Sequence, residues 1–192
     1  MIIHENFSLK NYNTFGIDAT AKYFVEINSL EELRSIIGNN DYLRKIVIGG
    51  GSNILLTDNI DALFIHVNLK GKHIISESPD AAQVKIMAGE NWHEMVMWSL
   101  ENSFGGLENL SLIPGNTGTA PIQNIGAYGV ELKDCFVSCE AIRIKDLQLI
   151  TRTKEECKFG YRDSYFKNEG KDKYVITSVT FSLTKNNHII NS

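Results

Sequence analysis

Two glycine-rich segments contain the residues whose types and spacing are best suited to binding a ligand. The first covers residues 49–53, Gly-Gly-Gly-Ser-Asn, and directly follows the apolar run 46–48. Because glycine has no Cβ atom, the backbone here can turn tightly and direct successive N–H groups at phosphate oxygens. The side chains of Ser52 and Asn53 add further donors. A tight turn without a ligand also fits this short pattern, and that alternative stays open on these residues alone.

The first segment differs from the two best-known phosphate-binding loops. A Rossmann fingerprint needs a third glycine at the position of Ile54, and a P-loop needs a following Lys-Ser or Lys-Thr pair. The sequence has neither. A diphosphate at this segment would therefore be bound by another fold.

The second segment runs from residue 112 to residue 129 and has four glycines and two prolines in 18 residues. It is interrupted by apolar Ile122 and Ile125. A flat ring such as isoalloxazine needs backbone donors at its polar edge and small apolar residues against its face, and this segment offers both. The alternative is an irregular loop without a ligand, but loops of this length inside compact domains are usually functional.

The composition excludes several classes of partner. The chain has 192 residues, 43% of them hydrophobic, and a formal net charge of −4, which is ordinary for a globular protein. Lysine and arginine are scattered, so the basic face of a nucleic-acid binder is not expected. The N-terminus does not resemble a signal peptide, and no apolar run approaches the roughly 20 residues that cross a bilayer. We expect neither nucleic acid nor membrane as a partner.

The cysteines and histidines do not form a metal-binding pattern. Cys135, Cys139 and Cys157 are too few, and odd in number, for a disulfide framework, which indicates a reducing, cytoplasmic location. Buried packing is the favoured role for these cysteines. His93 begins a zinc-protease spacing, but Met97 stands where the second histidine would be. We therefore predict no metal site.

The elements that must position the first segment form a small α/β unit. The apolar run 21–27 predicts a strand, Ser29 with Glu32 predicts a helix cap, and Gly38 is a plausible helix stop. The run 46–48 predicts a short buried strand. The alternation of residues 63, 65 and 67 predicts another strand.

The elements around the second segment predict a mainly antiparallel unit. Residues 76–80 suit a hairpin tip or a lobe boundary, and Asn91 with Glu94 predicts the start of a helix that would end at residues 105–106. Two strands are expected at 141–144 and 148–151. In the last strand, alternation predicts that one face is formed by Val175, Val179, Phe181 and Leu183.

Six motifs stand in order along the chain. They are Asn-Thr-Phe-Gly at 13–16, Gly-Gly-Gly-Ser-Asn at 49–53, Ala-Gly-Glu-Asn-Trp at 88–92, Gly-Leu-Glu-Asn-Leu at 106–110, the segment 114–129, and Phe-Gly-Tyr-Arg-Asp-Ser at 159–164. Together they closely resemble the UDP-N-acetylenolpyruvoylglucosamine reductases (the MurB family). The resemblance covers roughly residues 8–183, and the ordered set is far more specific than any single motif.

The resemblance implies an α+β fold, a two-lobed FAD-binding module of the vanillyl-alcohol-oxidase (PCMH) type that lacks the family's C-terminal substrate domain. We expect lobe 1, a small α/β unit, at residues 1–75. Lobe 2, mainly an antiparallel sheet, is expected at 76–185. Residues 186–192 would form a tail.

The resemblance also implies a flavin reductase of peptidoglycan synthesis. FAD, bound noncovalently, would be reduced by NADPH and would pass hydride to UDP-N-acetylglucosamine enolpyruvate, giving UDP-N-acetylmuramate. Tyr128 and Arg162 are the expected substrate residues. The expected FAD-binding residues are Gly49, Gly50, Gly51, Ser52, Asn53, Ile113, Pro114, Gly115, Gly118, Thr119, Ile122, Ile125, Gly126, Tyr161 and Ile176.

Arg162 is the expected catalytic residue. A guanidinium is permanently charged and can bind a carboxylate through two N–H groups, so it can hold the substrate and stabilise charge that develops beside it. Without the resemblance, an ion pair with Asp163 would be the favoured role.

The family's third domain supplies a serine that protonates the enol and a glutamate near the C-terminus, and neither motif occurs in this sequence. Ser164 belongs to the arginine motif and is not expected to replace that serine. We therefore expect a truncated form that binds FAD with impaired or no turnover. A non-catalytic remnant and half of a split enzyme, whose substrate domain is on a separate chain, are the alternatives.

Overall fold

A computed structural model describes residues 1–185, which form two large sheets and one two-stranded sheet. The first sheet contains β1 (Ile3–Ser8), β2 (Thr20–Ile27), β3 (Lys45–Ile48) and β4 (Ile60–Val67), in the order β1-β2-β4-β3. β1 pairs antiparallel with β2, whereas β4 is parallel to both β2 and β3. The helix α1 (Leu30–Gly38) connects β2 to β3, and it begins where predicted because Ser29 Oγ accepts a hydrogen bond from the Glu32 N–H at 3.1 Å.

The second sheet is antiparallel throughout. It contains β5 (Lys72–Glu77), β6 (Ala81–Met87), β9 (Phe136–Arg143), β10 (Leu149–Thr153) and β11 (Tyr174–Thr184), in the order β10-β9-β11-β6-β5. The helix α2 (Trp92–Glu101) follows β6, and the Asn91 side chain caps it as predicted. A small hairpin, β7 (Gly126–Ala127) and β8 (Val130–Glu131), and the short helix α3 (Leu132–Cys135) precede β9.

Buried apolar residues join the two lobes into one body. One core lies within the second sheet and its helices, and another lies under the first sheet. A third core packs α1 and the strands β2 and β4 against Ala88, Ile142 and Val175 of the second sheet. Because burial of apolar surface is the main stabilising contribution, this third core holds the relative position of the lobes.

The change of sheet lies earlier than residue 75. Lys72 already pairs with Ile86 in the second sheet, so residues 72–75 lie in that sheet rather than with lobe 1. Of the two interpretations of residues 76–80, the structure has the hairpin tip, where the Ser78 N–H donates to the Ala81 carbonyl. The tail expected at 186–192 lies outside the described residues.

Three local expectations were wrong. β3 is an edge strand with Val47 exposed, not a buried strand, because only β4 pairs with it. The helix α2 ends at Glu101, before the glycines, since Ser103 already has a φ of +60°. In β11 a register shift between Ile176 and Ser178 places Val175 in the core between the lobes and Val179 in the core of the second sheet.

Within residues 1–185, no helix combines the length and the apolar character that a bilayer crossing requires.

Candidate functional site

The two glycine-rich segments meet at a cleft between the lobes. One cavity of about 500 Å³ is lined by residues of both glycine-rich segments and of the edge strand β3. An adjoining cavity of about 880 Å³ extends between α1, β3 and β11. The residues that line both cavities are Ile46, Val47, Ile48, Gly49, Thr119, Ile122 and Lys167. The two cavities of the cleft therefore adjoin and share part of their walls.

The first and second segments contact each other directly. The Ser52 hydroxyl donates a hydrogen bond to the Pro114 carbonyl at 3.1 Å. A Cβ atom on Gly50 would lie 2.9 Å from Gly115 Cα, and one on Gly115 would lie 2.9 Å from Ser52 Oγ. Glycine is needed at residue 50 because the Gly115 backbone passes too closely for a side chain, and at residue 115 because its φ is +121°.

Gly51 has no room for any other residue. Its φ is +63°, and a Cβ atom there would lie 1.9 Å from the Tyr12 carbonyl oxygen. The Thr14 N–H donates to the Gly51 carbonyl at 3.1 Å. The motif at 13–16 thus contacts and stabilises the first segment.

The first segment offers backbone donors to the cleft. Within the described part of the chain, the N–H groups of residues 49–53 donate no hydrogen bond to the protein. Gly49, Gly51, Ser52 and Asn53 line the smaller cavity. Unpaired, concave N–H groups of this kind bind phosphate oxygens, so the segment fits the diphosphate of a dinucleotide.

The second segment is fixed to lobe 2 by backbone hydrogen bonds. The Gly118 N–H donates to the Ala88 carbonyl and the Thr117 N–H to the Glu90 carbonyl, each at 2.9 Å. A Cβ atom on Gly118 would lie 2.5 Å from that of Ala88. These contacts set the short 3-10 helix Thr117–Gln123 against the end of β6.

The walls of the smaller cavity are largely apolar. Ile113, Ile122 and Ile125 come from the second segment, and residues 46–48 face them from β3. A flat aromatic ring can be bound by such walls, with the backbone at its edge. The residues that are present therefore fit the diphosphate and one ring system of a flavin dinucleotide.

Arg162 lies on a tight turn beside the second segment. Gly160 and Asp163 exchange two backbone hydrogen bonds around it, and Arg162 has a φ of +51°. Its Nη2 atom donates to the Gly126 carbonyl at 2.5 Å. The alternative ion pair is not formed, since Asp163 Oδ1 accepts a hydrogen bond from the Asn168 side chain instead.

Two buried side chains hold this turn against the second segment. Asn124 Nδ2 donates to the Gly160 carbonyl at 2.9 Å, and its Oδ1 accepts from the Lys133 N–H at 3.0 Å. The Ser164 hydroxyl donates to the Ile122 carbonyl at 2.6 Å and accepts from the Phe166 N–H at 3.1 Å. Ser164 is buried.

The structure brings most of the expected cofactor residues into the cleft. The lining residues among them are Gly49, Gly51, Ser52, Asn53, Ile113, Pro114, Gly118, Thr119, Ile122, Ile125 and Ile176. Gly50 and Gly115 lie behind this surface, where the segments touch. Gly126, Arg162, Tyr128 and Tyr161 lie outside both cavities, and the two tyrosines are 82% and 86% exposed.

Two features of the cleft were not identified from the sequence. Residues 46–48 of β3 form its wall, and Lys167 lines both cavities. The run 46–48 is too short to distinguish an edge strand from a central one. Lys167 follows the arginine motif by three residues, and that proximity was its only signal.

Two of the three cysteine thiols have a raised pKa. Burial raises the pKa of the Cys135 thiol to about 11, and a hydrogen bond with Cys157 together with burial raises the pKa of Cys139. The described residues contain no group of three His, Cys, Asp or Glu side chains that could hold a metal ion.

Comparison with known proteins defines the class. Residues 21–147 match the family described as an FAD binding domain, and the chain belongs to this family. All 192 residues are 59% identical to UDP-N-acetylenolpyruvoylglucosamine reductase of Flavobacterium johnsoniae, and they cover 57% of that protein. The corresponding reductase of Pseudomonas putida is 46% identical over 187 residues, which are 55% of its length. Homology to these reductases thus extends over the whole chain, which spans about half the length of the relatives.

The fold has solved counterparts. A UDP-N-acetylenolpyruvylglucosamine reductase from Thermus caldophilus superposes with a TM-score of 0.78 over 98% of this chain and 64% of its own, at 23% identity. A solvent-stable cholesterol oxidase superposes with a TM-score of 0.66 over 92% of this chain and 37% of its own, at 12% identity. The two-lobed α+β FAD-binding fold predicted from the sequence is therefore confirmed.

Proposed function

We propose that this chain binds FAD noncovalently in the cleft between the lobes, as the cofactor-binding part of a UDP-N-acetylenolpyruvoylglucosamine reductase. The observation that carries the proposal is the meeting of both glycine-rich segments at one cleft, in a chain that is 59% identical throughout to such a reductase. The reaction would be the NADPH-linked reduction of UDP-N-acetylglucosamine enolpyruvate to UDP-N-acetylmuramate, in the cytoplasm.

The N–H groups of residues 49–53 would hold the diphosphate. The isoleucines at 113, 122 and 125 would lie against the flavin, and Ile176 would line the other end of the cleft. FAD, when bound, supplies hydride chemistry at the enolpyruvyl double bond. The chain itself supplies binding, orientation and an apolar wall that excludes water.

Arg162 would bind the carboxylate of the substrate. Its turn is held by Asn124 and Ser164, and its guanidinium donates to the Gly126 carbonyl, two residues before the exposed Tyr128. A guanidinium fixed there would stabilise the negative charge that develops beside the carboxylate during reduction. Tyr128 would contact the substrate as well.

FAD titration of the purified protein tests cofactor binding. We expect saturable quenching of flavin fluorescence with a stoichiometry near one, and release of intact FAD on heating. Protein that stays colourless and does not change flavin fluorescence at saturating concentrations would exclude the proposal.

The proton donor of the reaction is not among the motifs of this sequence, so we propose that these 192 residues alone have impaired or no turnover. A non-catalytic FAD-binding remnant and one half of a split enzyme are the alternative functions. NADPH oxidation in the presence of the enolpyruvyl substrate distinguishes them: steady oxidation coupled to product by this chain alone would exclude the remnant. If a second polypeptide restored NADPH oxidation, that result would support the split enzyme.

A further inference from the structure

Lys167 occupies a distinctive position in the cleft. Of the described residues that line the smaller cavity, it is the only one with a charged side chain, and it also lines the larger cavity. The larger cavity has three further charged residues, Lys45, Lys171 and Asp172, but none of them reaches the smaller one. Lys167 therefore stands where the two cavities join.

The junction is the place for the middle of an elongated ligand. A flavin dinucleotide has an aromatic ring system at each end and its two phosphates between them. The residues shared by both cavities include Gly49, where the segment of unpaired N–H groups begins, and Lys167. The other shared residues are apolar, apart from Thr119.

The Lys167 ammonium has hydrogen-bonding capacity to spare. It donates to the Arg162 carbonyl at 2.7 Å, and an ammonium has three N–H donors. Within residues 1–185, no carboxylate forms an ion pair with it. By contrast, Lys45 directs its ammonium at two carbonyls at the end of α1, those of Ile37 and Asn39.

Its backbone is well supported. Lys167 ends the short 3-10 helix Tyr165–Lys167, which the Ser164 hydroxyl caps and which the buried Phe166 anchors in the core of lobe 2. The Lys167 N–H donates to the Ser164 carbonyl at 3.2 Å. The backbone at Lys167 is thus held in place beside the cleft, and its exposed side chain is part of the lining of both cavities.

On these grounds we propose that Lys167 is a cationic ligand of the FAD diphosphate, opposite the N–H groups of residues 49–53. The inference rests on the proposed binding of FAD and adds a residue to that site. The same ammonium would contact the phosphate and the Arg162 carbonyl together, so cofactor binding would also tighten the turn that carries Arg162. A charge-assisted contact of this kind is stronger than one to a neutral donor.

The test compares ligands with and without phosphate. Dissociation constants for FAD and for riboflavin are measured by fluorescence for the unmodified chain and for Lys167→Met, Lys167→Arg and Lys173→Met. Lys173 is a matched control because its ammonium also donates to a backbone carbonyl, that of Glu169 at 2.7 Å, but it lies outside both cavities.

We expect Lys167→Met to weaken FAD binding by roughly 10-fold or more and to change riboflavin binding by less than about twofold. Lys167→Arg should keep most of the FAD affinity because it keeps the charge. Lys173→Met should bind both ligands as the unmodified chain does. The FAD dissociation constant of Lys167→Met should also depend less on salt than that of the unmodified chain.

Unchanged FAD affinity in Lys167→Met would overturn the inference while leaving FAD binding intact. An equal loss of FAD and riboflavin binding would overturn it as well, since the lysine would then act through the fold. If the unmodified chain binds neither ligand, the proposed function itself fails, and the inference falls with it.

Discussion

Asn124 Nδ2 donates a hydrogen bond to the carbonyl oxygen of Gly160, 36 residues further along the chain, at 2.9 Å. Asn124 is fully buried and ends the 3-10 helix that forms the cleft wall, with a φ of +42°. Gly160 begins the turn that carries Arg162. This buried side chain therefore joins the cofactor wall to the arginine turn, as the Ser164 hydroxyl does through the Ile122 carbonyl.

Replacing this side chain should destabilise the protein. Asn124→Ala leaves the Gly160 carbonyl and the Lys133 N–H without their partner and places alanine at positive φ, so the free energy of unfolding should fall by about 2–4 kcal/mol. Asn124→Gly removes the same hydrogen bonds without the backbone strain. Its free energy of unfolding should therefore lie between those of the unmodified chain and of Asn124→Ala. Urea denaturation followed by circular dichroism measures both.

Asn168→Ala is the control, because Asn168 also hydrogen-bonds across the arginine turn but is exposed. It should change the free energy of unfolding by less than about 1 kcal/mol. Equal losses at residues 124 and 168 would contradict the role assigned to the buried amide.

Gly51 and Gly16 provide a matched pair of substitutions. Both have a φ of +63°, but a Cβ atom on Gly51 would meet the Tyr12 carbonyl at 1.9 Å, whereas one on Gly16 has nothing within 4 Å. Gly16→Ala should cost about 1–2 kcal/mol of backbone strain. Gly51→Ala should lower the free energy of unfolding by at least about 2 kcal/mol more than Gly16→Ala does, because the first segment must move.

The same pair of variants distinguishes an effect on FAD binding from an effect on the stability of the fold. FAD titration of Gly16→Ala should give the affinity of the unmodified chain, whereas Gly51→Ala should bind FAD at least about 10-fold more weakly. Equal unfolding free energies for the two variants would show that the close approach at Tyr12 does not constrain the segment.

His66 should make stability depend on pH. Burial, assisted by the positive charge of Lys70, lowers the pKa of His66 despite the opposing hydrogen bond and charge of Glu26. The unfolded chain then binds more protons, so stability is complete above the ordinary pKa of about 6.5 and decreases as the pH falls below it towards the folded value. The free energy of unfolding should decrease from pH 7 to pH 5.

His66→Gln should flatten this dependence over the same range. His73→Gln should leave the dependence as it is, because His73 is exposed. Urea denaturation at several pH values measures the three slopes, and an unchanged slope in His66→Gln would assign the titration to another group.

The thiols should be unreactive in the folded protein. Burial raises the pKa of Cys135 to about 11, and Cys139 and Cys157 are fully buried. Because the thiolate is the reactive form, a disulfide reagent such as DTNB should modify none of them at pH 8 within minutes. In concentrated urea all three should react. Rapid reaction of one thiol without denaturant would show that it is accessible.

Local features were predictable from the sequence because neighbouring residues determine them. Ser29 and Asn91 cap helices through their own next few residues, and the first segment follows a strand as its glycines indicated. The order of motifs was sufficient to predict an FAD-binding fold. None of these predictions required knowledge of which strands pair.

The sequence by itself determined which residues have the chemistry to bind a dinucleotide, namely bare backbone amides and small apolar side chains, and which guanidinium is suited to a carboxylate. Only the tertiary structure decided which of them meet. Val47 faces the cleft because β3 has a single neighbour, Val175 turns to lobe 1 because of a register shift, and Lys167 reaches both cavities because Ser164 is held to Ile122. Each of these depends on contacts between distant parts of the chain, which a local pattern does not contain.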